Sequence, residues 1–296
     1  MIELSGAESD SELEAWRSVR MAILPNERTS TVAELRAQTE EDTLFVLAYV
    51  DGALAGSGVS TGSSSGGAFT QPRVLPAFRG RGVGARLIHA LADHALACGH
   101  EEAGAMVEEP GALGFAARFG FVERNRQLEQ VRAIEPDEAE PEVPAGVEIV
   151  SLRGRNDLRA RLYPELVSEA LGDLVLDRPL EVTEERWWRE WLPSTEWTFV
   201  ALVDGELVGM AGLLDDPDRP ERAENALTAV RRDVRGRGIG RALKQRTLQC
   251  AAERGLAEVY TWTQTGNEAM QRLNRALGYV DRDVVVNVRA PLPLAG

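Results

Sequence analysis

Two hexamers carry residue types that can do chemistry: Arg79 to Gly84 reads RGRGVG and Arg235 to Gly240 reads RGRGIG. Each follows a strand-like run and opens directly into a helical one. A helix start offers unpaired N–H groups and the positive end of the macrodipole, which together attract phosphate oxygens. Glycine lets the backbone approach such an anion closely and reach positive φ, and Arg235, Arg237 and Arg241 add charge-assisted donors, some to phosphate and some to solvent. Two other phosphate loops are excluded. A Walker loop needs Gly-Lys-Ser/Thr, and the dinucleotide fingerprint needs a third glycine where Leu87 and Leu243 stand.

The elements that position these loops also occur twice. The hexamers begin 156 residues apart, at 79 and 235. Upstream, LFVLAYVDGALAGSGVS (Leu44 to Ser60) matches TFVALVDGELVGMAGLL (Thr198 to Leu214), each with an Asp-Gly pair that signals a type I′ hairpin. Downstream, GFAARFGFVE matches RLNRALGYVD, a helix ended by glycine with an aromatic that starts a strand. Such recurrence marks a duplication. The second copy predicts helices over Asp157 to Leu171, Glu184 to Leu192 and about Gly238 to Arg254. The strands before the loops are predicted at Arg73 to Leu75 and Ala226 to Val230. Alternation of strands and helices gives an α/β fold with a mixed sheet. The Pro/Glu-rich stretch at 136–146 reads as an extended linker between domains at 1–135 and 147–296.

Composition narrows the function. With 33 basic and 47 acidic side chains, the net charge of −14 repels a nucleic-acid backbone, leaves a local basic loop able to hold a small anion, and leans toward a cationic substrate. Two cysteines (Cys98, Cys250) and three histidines (His89, His94, His100) are too few for a disulfide framework or a zinc site, so no metal is expected. The opening MIELSGAESDSELEAW lacks the basic start and apolar run of a signal peptide, and no stretch of about eighteen apolar residues occurs. A cytoplasmic protein without membrane or nucleic-acid partners, as monomer or homodimer, is the expectation.

VLPAFRGRGVGARLIHALADHA and VRRDVRGRGIGRALKQRTLQCAAERG resemble the Gcn5-related N-acetyltransferases, whose signature is Arg/Gln-x-x-Gly-x-Gly/Ala between a strand and the long helix. The resemblance covers most of both halves and implies two tandem domains of that family, each a mixed twisted sheet flanked by helices. It implies acetyl-CoA as co-substrate, with its pyrophosphate on Arg79, Gly80, Gly82 and Gly84 in the first half and on Arg235, Gly236, Gly238, Gly240 and Arg241 in the second. The pantetheine arm would pair with the main chain of Val74, Leu75 and Ala77, or of Ala229, Val230 and Arg232. Asn267 reads as a helix N-cap, a cofactor contact, or both.

Acyl transfer requires a deprotonated amine, a polarised thioester carbonyl and a proton for the leaving thiolate. The family commonly supplies that proton from a tyrosine four residues before the Gly-aromatic pair; those positions are Ala116 and Asn274 here. Asn274 is left as a hydrogen-bond donor toward sulfur or cofactor. Glu221 and Glu224 are candidate bases before the second loop, Glu224 the preferred one, with Tyr260, Thr261 and Thr263 as further polar options. In EERWWREWLPSTEW, Trp187 and Trp191 share a helix face and read as core or as lining of an acceptor pocket. The first half, with EEPGALGFAARFGF in place of an Asn-led helix, reads as a half that binds without catalysing.

The resulting reading is an acetyl-CoA-dependent N-acetyltransferase acting on a primary amine of a small molecule or peptide, with the second half catalytic. Two alternatives stand beside it: a non-catalytic acyl-CoA-binding or scaffold protein, and a mycothiol-synthase-like tandem acetyltransferase.

Overall fold

The computed structural model describes residues 1–64, 66–108, 110–174, 182–192 and 194–295. The chain divides into two compact units, Met1–Arg126 with Val285–Gly296, and Gln127–Val284.

Unit 1 runs β1 (Ile2–Gly6), α1 (Asp10–Ile23), α2 (Val32–Gln38), β2 (Leu44–Val50), β3 (Ala53–Gly62), β4 (Ala68–Val74), α3 (Val83–Ala97), β5 (Glu102–Val107), α4 (Leu113–Arg118) and the start of β6 (Val122–Ala133). Capping boxes, Ser9 with Glu12 and Thr31 with Glu34, begin α1 and α2. The β2–β3 hairpin closes through Asp51 (φ 51°) and Gly52 (φ 82°), as Asp-Gly predicted. The strands lie in the order β1–β2–β3–β4–β5, antiparallel except for β4 beside β5. One sheet face buries Leu13, Trp16, Leu35, Leu47 and Val59 against α1 and α2; the other buries Val46, Ala48, Ala55 and the α3 residues Val83, Leu87 and Leu91.

Unit 2 repeats this plan: β7 (Val147–Ser151), α5 (Asn156–Leu162), a π-helical turn (Tyr163–Val167), α6 (Ser168–Leu171), α7 (Glu184–Glu190), β8 (Thr198–Val203), β9 (Glu206–Asp215), β10 (Arg222–Asn225), β11 (Ala229–Val230), α8 (Ile239–Glu253), β12 (Glu258–Gln264), α9 (Glu268–Ala276) and β13 (Val280–Pro291). The helix predicted over 157–171 is thus one helical path carrying a π turn at Pro164, whose missing N–H cannot continue the α ladder. The β8–β9 turn repeats positive φ at Asp204 (50°) and Gly205 (79°). Of the strand expected over 226–230 only Ala229–Val230, β11, is strand, with β10 ending before it at Asn225, because the chain bulges at 226–228 while both pieces pair with β9.

The last strand of each unit departs from linear domain order. In unit 1, β5 pairs with the far end of β13, Val286 opposite Val107 through Pro291 opposite Glu102. In unit 2, β12 pairs with the far end of β6, Gln127 opposite Gln264 through Ala133 opposite Glu258. Residues 127–135 and the stretch 136–146 therefore lie in unit 2, and 285–296 in unit 1. The stretch read as a linker is not free of the unit: Arg132 pairs with Glu138 at 2.6 Å, and the Glu142 N–H donates to Gln245 Oε1 at 3.1 Å.

Candidate active site

Both glycine loops are built alike. A short 3-10 turn, Pro76–Phe78 or Arg232–Val234, leads into the hexamer, and the long helix begins after Gly82 (φ 86°) or Gly238 (φ 85°). Gly80 (φ 73°) and Gly236 (φ 76°) are also left-handed, with open space around the position a Cβ would take. An L side chain in that conformation is strained, so the hexamer needs glycine to face the first-turn amides outward. That arrangement suits a pyrophosphate. The first arginine of each hexamer braces the loop: Arg79 Nε donates to the Val74 carbonyl at 3.1 Å and Arg235 Nε to the Val230 carbonyl at 2.8 Å.

In both units the parallel strand pair opens just before the loop. β4 and β5 hold two rungs, Ala68 to Ala103 and Phe69 to Gly104; β10 and β12 hold three, ending at Glu224 to Tyr260. Beyond them lies the space a pantetheine arm would enter. In unit 1 this space is a cavity of about 640 Å³ lined by Gly80, Gly82, Gly84, Ile88, Val107 and Phe115 among others, within the usual size of ligand pockets. Val74 lines it; Leu75 and Ala77 do not, and the Leu75 N–H is taken by the Ala55 carbonyl at 2.9 Å.

Polar side chains span the opening of unit 1. Gln71, 4% exposed, donates from Nε2 to the Met106 carbonyl (2.7 Å) and accepts at Oε1 from the Met106 N–H (2.8 Å), standing in for a peptide group of the missing strand pairing. Next to it the buried Arg73 pairs with Glu108 at 2.7 Å. In unit 2 the matching positions are Leu227, Ala229 and Gln264, so no such ion pair can form.

The second loop has its own acidic neighbours. Asp173 pairs with Arg232 and Arg235, and Glu169 Oε1 accepts from the Arg232 N–H at 2.9 Å. Partial burial opposes ionisation of Asp173, but the two guanidinium groups outweigh it and hold its pKa below the usual carboxylate value. The main-chain donor expected at Arg232 is therefore occupied, whereas Ala229 and Val230 pair through β11 with Met210 and Gly209 of β9. Arg241 lies 3.6 Å from Glu142.

Glu224 and Asn274 lie on different sides of the opening. Along β10, Ala223 packs with Leu248 and Ala251 of α8, and Asn225 receives Lys244 of α8. Glu224 alternates with both, so it faces the side of α5 to α7, half-buried. Its cross-strand partner Leu214 packs on that same cluster. Asn274 is fully buried and donates from Nδ2 to Gln130 Oε1 (2.8 Å) and Thr263 Oγ1 (3.3 Å), with Oδ1 unpartnered. Both amide hydrogens are committed to neighbours. Asn267 caps α9, its Oδ1 accepting from the Met270 N–H at 3.2 Å. Glu221 is exposed, and a backbone hydrogen bond followed by the Arg219 contact lowers its pKa, which makes it a poor base. Trp187 is wholly buried in the core of unit 2, 4.6 Å from the Trp188 ring, while Trp191 is half-buried.

Sequence reasoning missed Lys244 and Gln71. A lysine in a long helix ordinarily reads as solvent-facing, yet Lys244 is 1% exposed, and burial lowers its pKa to about 7. Its spacing of four residues from Gly240, on the face shared with Leu248, was the available signal.

Among the described residues no group of His, Cys, Asp and Glu is arranged to hold a metal ion, and no helix is long and apolar enough to cross a membrane. The profile of the Acetyltransferase (GNAT) family matches residues 12–121 and 161–279. A mycothiol acetyltransferase of Thermobispora bispora is 30% identical over 232 residues, 73% of this chain and 74% of that protein. One from Clavibacter michiganensis is 30% identical over 264 residues, 83% and 79%. In fold, the chain is similar to a Gcn5-related N-acetyltransferase of Sphaerobacter thermophilus, with a TM-score of 0.78 at 20% identity over 98% of this chain and 95% of that one. A tandem GNAT protein from the clavulanic acid biosynthesis pathway gives 0.73 at 19%, over 100% and 99%. With two matching segments, both on the strand, loop and helix described above, the chain belongs to the GNAT acetyltransferase family as a tandem member and is an N-acetyltransferase.

Proposed function

We propose that the protein moves the acetyl group of acetyl-CoA to a primary amine of a small molecule or peptide, that unit 2 performs the transfer, and that unit 1 holds acyl-CoA without transferring it. The observation that carries this reading is the contrast at the strand opening. Gln71 and the Arg73–Glu108 pair span it in unit 1, and unit 2 has Leu227, Ala229 and Gln264 there, with Glu224 at the last rung.

Acetyl-CoA supplies the activated acyl group, and the residues of each unit fit it. Gly236, Gly238 and Gly240 leave the first turn of α8 open to a pyrophosphate, and Gly80, Gly82 and Gly84 do so for α3. The Val230 and Ala229 backbone forms the β11 edge beside the opening. Glu224, on the α5 to α7 side, takes a proton from the acceptor ammonium so that nitrogen carries a lone pair into the thioester carbonyl. Asn274, its donors engaged, fixes Thr263 and Gln130 rather than donating to sulfur.

Several curated relatives are named mycothiol acetyltransferase, which supports an amine related to mycothiol as the first acceptor to try. The test combines titration calorimetry of acetyl-CoA with free-thiol release across an amine panel containing that acceptor. Binding with turnover on at least one amine is expected. Absence of acetyl-CoA binding to either unit overturns the reading, and binding without turnover on any amine leaves the acyl-CoA-binding scaffold.

A further inference from the structure

Four positions that line the cavity of unit 1 are apolar: Ile88, Val107, Ala116 and Phe121. The equivalent positions of unit 2 are Lys244, Thr263, Asn274 and Tyr279, in the same helix positions and strand register. All four side chains are buried, at 1%, 4%, 0% and 2% exposure. Asn274 Oδ1 and the Tyr279 hydroxyl have no hydrogen-bond partner among the described residues. Buried polar atoms are rarely left unpaired in a finished site, so these atoms of unit 2 are placed to meet a polar group of a ligand.

Lys244 is the sole cationic member of the four. Its Nζ donates to Asn225 Oδ1, and Asn225 is itself held by its Nδ2 donating to the Gly212 carbonyl at 2.9 Å. No carboxylate lies within ion-pair distance of Nζ among the described residues, and Asn225 accepts only one of its three hydrogens. The Tyr279 ring centroid is 5.2 Å away. Tyr279 is the titratable group that faces Lys244; burial raises its pKa first, with opposing influences from Arg132 and Glu138. An ammonium held by a neutral amide and an aromatic face, with no counter-ion among the described residues, awaits an anion.

We propose that Lys244 is the proton donor to the thiolate that leaves in unit 2, taking the task for which the family commonly uses a tyrosine. This rests on the reading of unit 2 as the transferring half. The acceptor nitrogen forms its bond to the acetyl carbon and the C–S bond breaks with its electron pair to sulfur. The Lys244 ammonium gives one proton to that sulfur, yielding CoA thiol and a neutral amine, which regains a proton from solvent; the acceptor's two protons leave in turn through Glu224, one before attack and one as the amide forms, each passed on to solvent. The ammonium form is present below about pH 7 and is lost as pH rises through that value, so the acid is poised to release its proton near neutrality.

The test uses the full-length Gly84→Asp protein, so that only unit 2 is read, and CoA itself as probe. CoA bound at neutral pH is expected to carry its thiol proton and show no thiolate ultraviolet band, and Lys244→Met is expected still to bind CoA. With acetyl-CoA and an accepted amine, Lys244→Met is expected to lower kcat about a hundredfold and to abolish the fall of kcat above about pH 7. An aryl thioester, whose thiolate leaves without protonation, is expected to restore the rate. A wild-type kcat with acetyl-CoA that does not fall above about pH 7 overturns the proposal without recourse to any variant, and so does an unchanged kcat in a Lys244→Met protein that binds CoA. Failure of CoA to bind unit 2 at all would instead sink the reading of unit 2 on which it rests.

Discussion

At the scale of residues, the glycines were legible and the buried polar groups were not. Gly82 and Gly238 stand where φ is 86° and 85°, a conformation that chirality all but reserves for glycine, so their spacing alone announced the loop. Lys244 and Gln71 carry no comparable mark, because whether a polar side chain faces solvent or a cleft depends on which strand lies opposite. Glu224 was singled out by its place before the loop, and the alternation of β10 adds the face on which it lies. Glu224→Gln preserves its shape and removes its basicity. The expected result is a fall in kcat of about a hundredfold or more with little change in KM for acetyl-CoA, measured by thiol release with an accepted amine. An unchanged kcat would remove Glu224 from the chemistry.

At the scale of elements, each loop works as a unit of strand end, turn and helix start. Arg235 ties the turn back to Val230, Asp173 holds Arg235 and Arg232 from α6's side, and Gly238 sets the first turn of α8. The hairpin turns and the long helices were readable to within a residue or two, since local sequence decides them. The split of the second strand into β10 and β11 was not, because a bulge is fixed by pairing with β9 rather than by composition. Gly238→Ala isolates the backbone effect, as its Cβ would sit 3.5 Å from Pro144 Cγ in ordinary contact. It is expected to cost about 1–2 kcal/mol in stability, read by denaturant unfolding, and to weaken acetyl-CoA binding by calorimetry. A variant that binds as wild type would mean that the left-handed turn is not what presents the amides.

At the scale of the whole molecule, duplication was plain from the repeated loops, whereas the boundary was not. β6 and β13 are both twelve residues long, and the sequence does not say with which sheet each end pairs. A chain ending at Val284 is therefore expected to lose hydrogen-exchange protection at the β5 amides of Glu102–Val107, in the N-terminal half, while β12 keeps its protection from β6. Loss confined to residues 127–284 would contradict the assignment of 285–296 to unit 1. The central claim, that two similar cradles serve different ends, is tested most directly by placing a carboxylate in each phosphate site and measuring thiol release from acetyl-CoA with an accepted amine. Repulsion of the pyrophosphate is expected to abolish turnover in Gly240→Asp, whose Cβ has room at 3.5 Å from Val230 Cγ2, and to leave most of it in Gly84→Asp, even though that Cβ must displace the Phe115 ring from 3.1 Å. Equal loss in both proteins, or loss in Gly84→Asp alone, would contradict the division of labour.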